Sequence, residues 1–103
     1  MLRRIKVSGH SLSPDFEEGD FVVTVKIPLF LRFLKRGDIV VFTQPLYGTL
    51  IKRVEWVDTA QEQVFVVGSH AHSVDSRQFG PVPGRSLIGK VIWHIRSPRN
   101  HAV

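Results

Sequence analysis

Five short runs of Val, Ile, Phe and Leu recur along the chain, separated by turns rich in Gly, Pro and Asp. "FVVTV" (21–25), "DIVVFT" (38–43), "TLIKRVEW" (49–56), "QVFVVG" (63–68) and "SLIGKVIWHI" (86–95) have the length and β-branched content of strands. "EEGD", "KRGD", "QPLYG", "VDTAQ" and "GPVPG" supply the turns between them. No stretch sustains a 3.6-residue apolar period. The pattern therefore predicts a mostly β fold, a single small barrel-like or folded-sheet domain over residues 1–103. "EEGDFVVT" and "KRGDIVVF" echo one another, each a charged pair and Gly-Asp launching a buried strand. This is repeated turn chemistry, not a solenoid repeat.

One strand breaks its own pattern. Side chains alternate across a strand, so Leu50, Lys52, Val54 and Trp56 are expected on one face, and Ile51, Arg53 and Glu55 on the other. The first face is apolar except for Lys52. Burial disfavours the charged form of an amine and lowers its pKa, and a neutral amine at pH 7 acts as a general base toward a hydroxyl nucleophile. The plain alternative is a lysine at a strand end that extends its ammonium to water.

The segment "IPLFLRFLKRG" (27–37) also departs from strand patterning, with Ile27, Leu29, Phe30, Leu31, Phe33 and Leu34 among Lys26, Arg32, Lys35 and Arg36. One reading is a short helix or loop capping the sheet. The other is an apolar tip ringed by cations, suited to peripheral contact with an anionic membrane through 26–36.

Composition narrows the chemistry. At 103 residues, 43% hydrophobic and 22% charged, the chain is an ordinary globular domain rather than a disordered one. It has no cysteine, which excludes disulfides and thiolate chemistry. No stretch reaches the roughly 18 to 20 apolar residues a bilayer span needs, and "MLRRIKVSGH" has no apolar core of a secretory signal. The net charge of +5 is spread over the sequence without basic–aromatic interleaving, so no nucleic-acid partner is expected.

Two further segments offer partners for Lys52. In "VSGHSLSPDFEEGD" (7–20), Ser11 lies in a turn flanked by Gly, Ser and Pro, an accessible hydroxyl that would otherwise read as a polar turn residue. In "HSVDSRQFGPVPGRSLIGKV" (72–91), Asp75 and Arg77 are spaced to pair across a tight turn, and Ser73 or Ser76 can offer a hydroxyl to a buried amine.

Together these segments resemble the type I signal peptidase family of Ser–Lys proteases. Its nucleophile box corresponds to Gly9-His10-Ser11-Leu12-Ser13-Pro14, followed by Gly19-Asp20. Its Arg-Gly-Asp-Ile-Val-Val-Phe strand stands at 36–42, its Lys-Arg-Val box at 52–54, its Asp-Ser-Arg box within 73–82, and its Gly-Lys at 89–90. The ordered series covers nearly the whole chain. It implies the family's catalytic-core fold and the activity of a serine endopeptidase. Ser11 is then the nucleophile, its backbone N–H an oxyanion donor. Lys52 is the general base and Ser73 the hydroxyl that orients its amine. Asp75 and Arg77 are an ion pair shaping the loop, and Val7, Leu12 and Ile51 line the substrate site. No cofactor or metal is implied, and the partner is a precursor protein or its leader peptide.

Departures from the family pattern refine the expectation. Leu12 replaces the usual Met. Gly9 stands where many bacterial members place a serine that completes the oxyanion hole. Only 20 residues separate Lys52 from Ser73, so the inserted second domain of longer members is absent. Ten residues precede Ser11, too few for the family's membrane anchor if Met1 is the native start. The expected subtype is a short, soluble, cytoplasmic member similar to the proteases that remove the leader of nickel-type superoxide dismutase. The alternative is a general signal peptidase core working at a membrane surface. Other chemistries are a Ser–His–Asp site using His72 and Asp75, or a metal site on His10, His70 and His72, neither of which explains the inward lysine. The self-cleaving repressor-type proteases lack the Asp-Ser-Arg box. A basic β-barrel binding module without catalysis is the remaining alternative.

Overall fold

Alternating buried and open positions build the strands. In β2 (Phe21–Val25), Val22 and Thr24 point inward, and in β5 (Gln63–Val67), Val64 and Val66 do. The structure is a computed structural model that describes residues 2–7, 16, 19–26, 30–69 and 73–96. Its other strands are β1 (Leu2–Lys6), β3 (Ile39–Gln44), β4 (Gly48–Asp58), β6 (Val82–Pro83) and β7 (Leu87–Ile95), with one short helix, α1 (Ser76–Phe79). They form one antiparallel sheet in the order β1-β2-β7-β3-β4-β5-β6. Among the described residues nothing pairs β1 with β6, so the sheet is folded rather than closed into a barrel.

The central strand β3 shows why it folds. Val40, Val41 and Phe42 are all buried, so both faces of the strand need cover. On one side Val40 and Phe42 pack with Val54, Val64, Val66, Val82 and Leu87; on the other Val41 packs with Val7, Val22 and Ile51. Gly89 lets β7 lie close to β2, since a Cβ there would sit 2.9 Å from the Val25 carbonyl oxygen.

Two strand expectations are corrected. The N-terminal "LRRIK" forms an edge strand, which its mostly exposed, basic side chains disguised; such charges are typical of protected sheet edges. Trp56 does not share the face of Lys52 and Val54. A register shift against β5 between Val54 and Trp56 leaves Glu55 as the extra residue and pairs Trp56 with Phe65, on which it stacks at 5.1 Å.

The Gly-Asp echo is real in three dimensions. Gly19 and Gly37 hold φ of 93° and 95°, a region that favours glycine. The Gly19 N–H donates to the Val7 carbonyl (2.9 Å), and the Val7 N–H donates to the Asp20 carbonyl (2.7 Å). The Gly37 N–H donates to the Val54 carbonyl (2.9 Å), and the Val54 N–H donates to the Asp38 carbonyl (2.7 Å).

In the 27–37 segment, Phe30–Phe33 form a single 3-10 turn. Phe30 and Leu34 are buried in the core and Leu31 packs against it, whereas Phe33 is 63% exposed. Most of the described apolar side chains here cover the sheet; Ile27 and Leu29 lie outside the described residues.

Candidate active site

Lys52 sits in the middle of β4 opposite Val40 of β3, and only 2% of it is exposed. It shares its face with Leu50 and Val54, which belong to the Val40–Phe42 side of the core. Burial pushes its pKa below the ordinary lysine value. The Asp75 carboxylate pulls the other way, and the Arg77 guanidinium adds to the lowering.

The loop after β5 fixes those two charges. Asp75 is fully buried and caps α1 in a capping box with Gln78, whose side chain accepts from the Asp75 N–H at 2.9 Å. One Asp75 oxygen accepts from the Arg77 backbone N–H (2.9 Å) and the other from the Gly68 N–H (2.8 Å). Arg77 closes on the same carboxylate through Nη2 (2.6 Å) and Nε (3.0 Å). Burial opposes ionisation of Asp75, but the Arg77 side chain and the Gly68 and Arg77 N–H groups outweigh it, and its pKa falls below the usual value. Ser76 accepts from the Val66 N–H at 2.9 Å, fastening the loop to the end of β5. The carboxylate is thus committed to Arg77 and two amide groups, which limits how far it can favour a charged Lys52. Ser73 is buried at 8% exposure, two residues before Asp75.

Val7 and Ile51 come together. Both are buried, and with Val22, Val41, Ile5 and Leu50 they line a cavity of about 60 Å³. Ser11, Leu12, His10, His70 and His72 lie outside the described residues. Among the described residues no group of three His, Asp or Glu side chains could hold a metal, and no helix is long and apolar enough to cross a membrane.

His94, a fourth histidine after His10, His70 and His72, was not singled out in the sequence. His94 Nε2 lies 2.7 Å from Asp20 Oδ2, and its ring stacks on Phe16 at 4.3 Å. Its signal was available, since a histidine in a strand of Ile, Trp and Val needs a polar partner. Ser76, a candidate hydroxyl for the amine in the sequence, accepts instead from the Val66 N–H, and the contact of Gly68 left no trace in the sequence because its backbone N–H makes it.

A buried amine beside a loop carboxylate, on a folded antiparallel sheet, fits a peptidase core. The sequence profile of the signal peptidase, peptidase S26 family matches residues 1–57 and 55–95. The chain belongs to this family, and with it to the serine peptidases whose protein substrates carry leader peptides. It is 25% identical over 136 residues to "Signal peptidase I V" of Bacillus subtilis (strain 168), covering 84% of this chain and 81% of that protein. It is 32% identical over 111 residues to the "Mitochondrial ATP-independent inner membrane protease subunit 1b" of Arabidopsis thaliana, covering 84% of this chain and 66% of that one.

Proposed function

We propose that residues 1–103 form one catalytic domain, a Ser–Lys endopeptidase that removes an N-terminal leader from a precursor protein. Ser11 is the nucleophile and Lys52 the general base. The observation that carries this reading is the burial of Lys52, at 2% exposure, on the apolar side of β4, with a pKa lowered by that burial. The neutral amine takes the Ser11 hydroxyl proton as Oγ attacks the carbonyl carbon of the scissile bond. The oxyanion is met by the Ser11 backbone N–H. Collapse breaks the C–N bond, and the Lys52 ammonium returns its proton to the leaving amine. Water then attacks the acyl-Ser11 ester, losing a proton to Lys52; the acyl C–Oγ bond breaks, the Lys52 ammonium returns that proton to Ser11 Oγ, and the leader leaves as its carboxylate.

Ser73 orients the amine, and the Asp75–Arg77 pair holds its loop in place. The cavity of about 60 Å³ beside Val7 and Ile51 suits a small side chain in the residue before the cut, and Leu12, next to Ser11 in sequence, is a further candidate for substrate contact. No cofactor takes part. The substrate we favour is the precursor of nickel-type superoxide dismutase, cleaved in the cytoplasm. The names of the two relatives favour a second reading, general signal-peptide removal at a membrane surface. Contact through 26–36 would then rest on Phe33, Arg32, Lys35 and Arg36, the exposed side chains among the described residues there.

Incubating the protein with that dismutase precursor and determining the new N-terminus by mass spectrometry tests the proposal. Cleavage at one junction by wild type and none by Ser11→Ala is expected. Cleavage of a membrane-protein signal peptide, with the dismutase precursor left intact, would move the substrate to the second reading.

A further inference from the structure

The two segments that carry the proposed dyad are each tied to β7 by the carboxylate of a Gly-Asp turn. The turn at Gly37-Asp38 holds β4 through Val54, two residues beyond Lys52, and Asp38 pairs with Lys90 at 3.4 Å. The turn at Gly19-Asp20 holds Val7, so residues 7 and 19–20 are clasped together and both ends of the intervening stretch that includes Ser11 are pinned. Asp20 in turn pairs with His94 at 2.7 Å. The two pairs differ in setting. Asp38–Lys90 is partly open, whereas Asp20 is fully buried and the His94 side chain only 18% exposed. A register shift between Val23 and Thr24 sets His94 opposite Val22, on the inward side of β2, where it meets Asp20 and stacks on Phe16. Phe16 belongs to the same 7–20 stretch. His94 therefore grips that stretch at two points, one polar and one aromatic.

We infer that His94, through Asp20 and Phe16, is a positioning residue for the nucleophile, setting the segment that carries Ser11 in register with Lys52. This rests on Ser11 being the nucleophile. Nucleophilic attack tolerates little displacement, and a 1 Å error in placement costs on the order of 100-fold in rate. Holding both segments to one strand gives the pair a common reference. His94 acts through Asp20 and Phe16, so its loss should lower turnover and leave substrate binding unchanged.

The experiment measures kcat, KM and Tm on an internally quenched leader-junction peptide that wild type cleaves. Four variants are compared: Ser11→Ala, His94→Phe, His94→Gln and His94→Asn. His94→Phe keeps the ring against Phe16 and loses the polar contact. It is expected to lower kcat about 10- to 100-fold, with KM within about twofold of wild type. His94→Gln, whose amide nitrogen reaches the position of Nε2, should recover most of the rate; His94→Asn, one bond shorter, should not. If His94→Phe fails to fold, the Gln and Asn variants decide, and equal kcat in the two overturns the inference. A fall in Tm with kcat unchanged well below the transition makes the pair merely structural and also overturns it. If Ser11→Ala still cleaves, the nucleophile assignment itself is wrong; if only His94→Phe retains full kcat, the dyad stands and the positioning role falls.

Discussion

Replacing Lys52 with methionine should separate stability from catalysis. The side chains are similar in length, and the site is apolar on the Leu50, Val54 and Val40 side, with 2% of Lys52 exposed. In wild type the folded-state pKa lies below the ordinary 10.5 of the unfolded chain. Between those two values the unfolded state binds more protons, so stability rises with pH across that window. Below it, the folded state carries the full cost of a buried ammonium, about 1.4 kcal/mol for each unit of depression. Methionine removes that cost and adds an apolar group worth roughly 0.8 kcal/mol per buried carbon. Lys52→Met should therefore be more stable than wild type by at least roughly 0.8 kcal/mol below that window, a gain that shrinks as pH rises through it toward 10.5. For a domain of this size that is roughly 4–8 °C in Tm per kcal/mol. Urea denaturation of both proteins from pH 6 to 10, beside a cleavage assay, measures it. Removing Lys52 leaves Asp75 still paired with Arg77, so no orphaned charge offsets the gain. A loss of 2 kcal/mol or more at every pH would mean that the folded protein holds Lys52 charged and paired, and the general-base argument would fail.

Further outcomes follow from the same geometry. Arg77→Gln removes a cation that lowers the Lys52 pKa and releases the Asp75 carboxylate that raises it. The rising limb of the pH–kcat/KM profile should shift to higher pH, and an unchanged profile would show that Arg77 does not act on the amine. Gly89→Ala places a Cβ 2.9 Å from Thr24 Cβ and from the Val25 carbonyl oxygen; chemical denaturation should show a loss of about 1–3 kcal/mol. Phe30→Asp should abolish the cooperative unfolding transition, since Phe30 is core, whereas Phe33→Asp should change stability by less than about 0.5 kcal/mol.

The sequence made the core strands readable because they are runs rich in Val, Ile and Phe, with burial alternating in β2 and β5 and falling on both faces in β3. It hid β1, whose Arg3, Arg4 and Lys6 mask the alternation, and β6, which has only two residues. Trp56 was misplaced because a bulge at Glu55 interrupts the period without leaving a glycine or proline to mark it. The burial of Lys52 was legible for the opposite reason, as the one charge in an apolar face. Asp75 and Arg77 were legible by their spacing across a turn, and the structure pairs them as that spacing predicts. His94 and Asp20 are 74 residues apart in sequence. No local pattern connects them, and only the pairing of β2 with β7 brings them together.

The dyad itself is tested most directly by a double-mutant cycle on kcat with Ser11→Ala, Lys52→Ala and both together, using the leader-junction peptide at fixed pH. Residues that act as one unit are strongly non-additive. Each single variant should lose roughly 1,000-fold or more, and the double variant should be no slower than either. Near-normal turnover by Lys52→Ala, with activity abolished instead in His72→Ala, would contradict the account and put a histidine in the place of the lysine base.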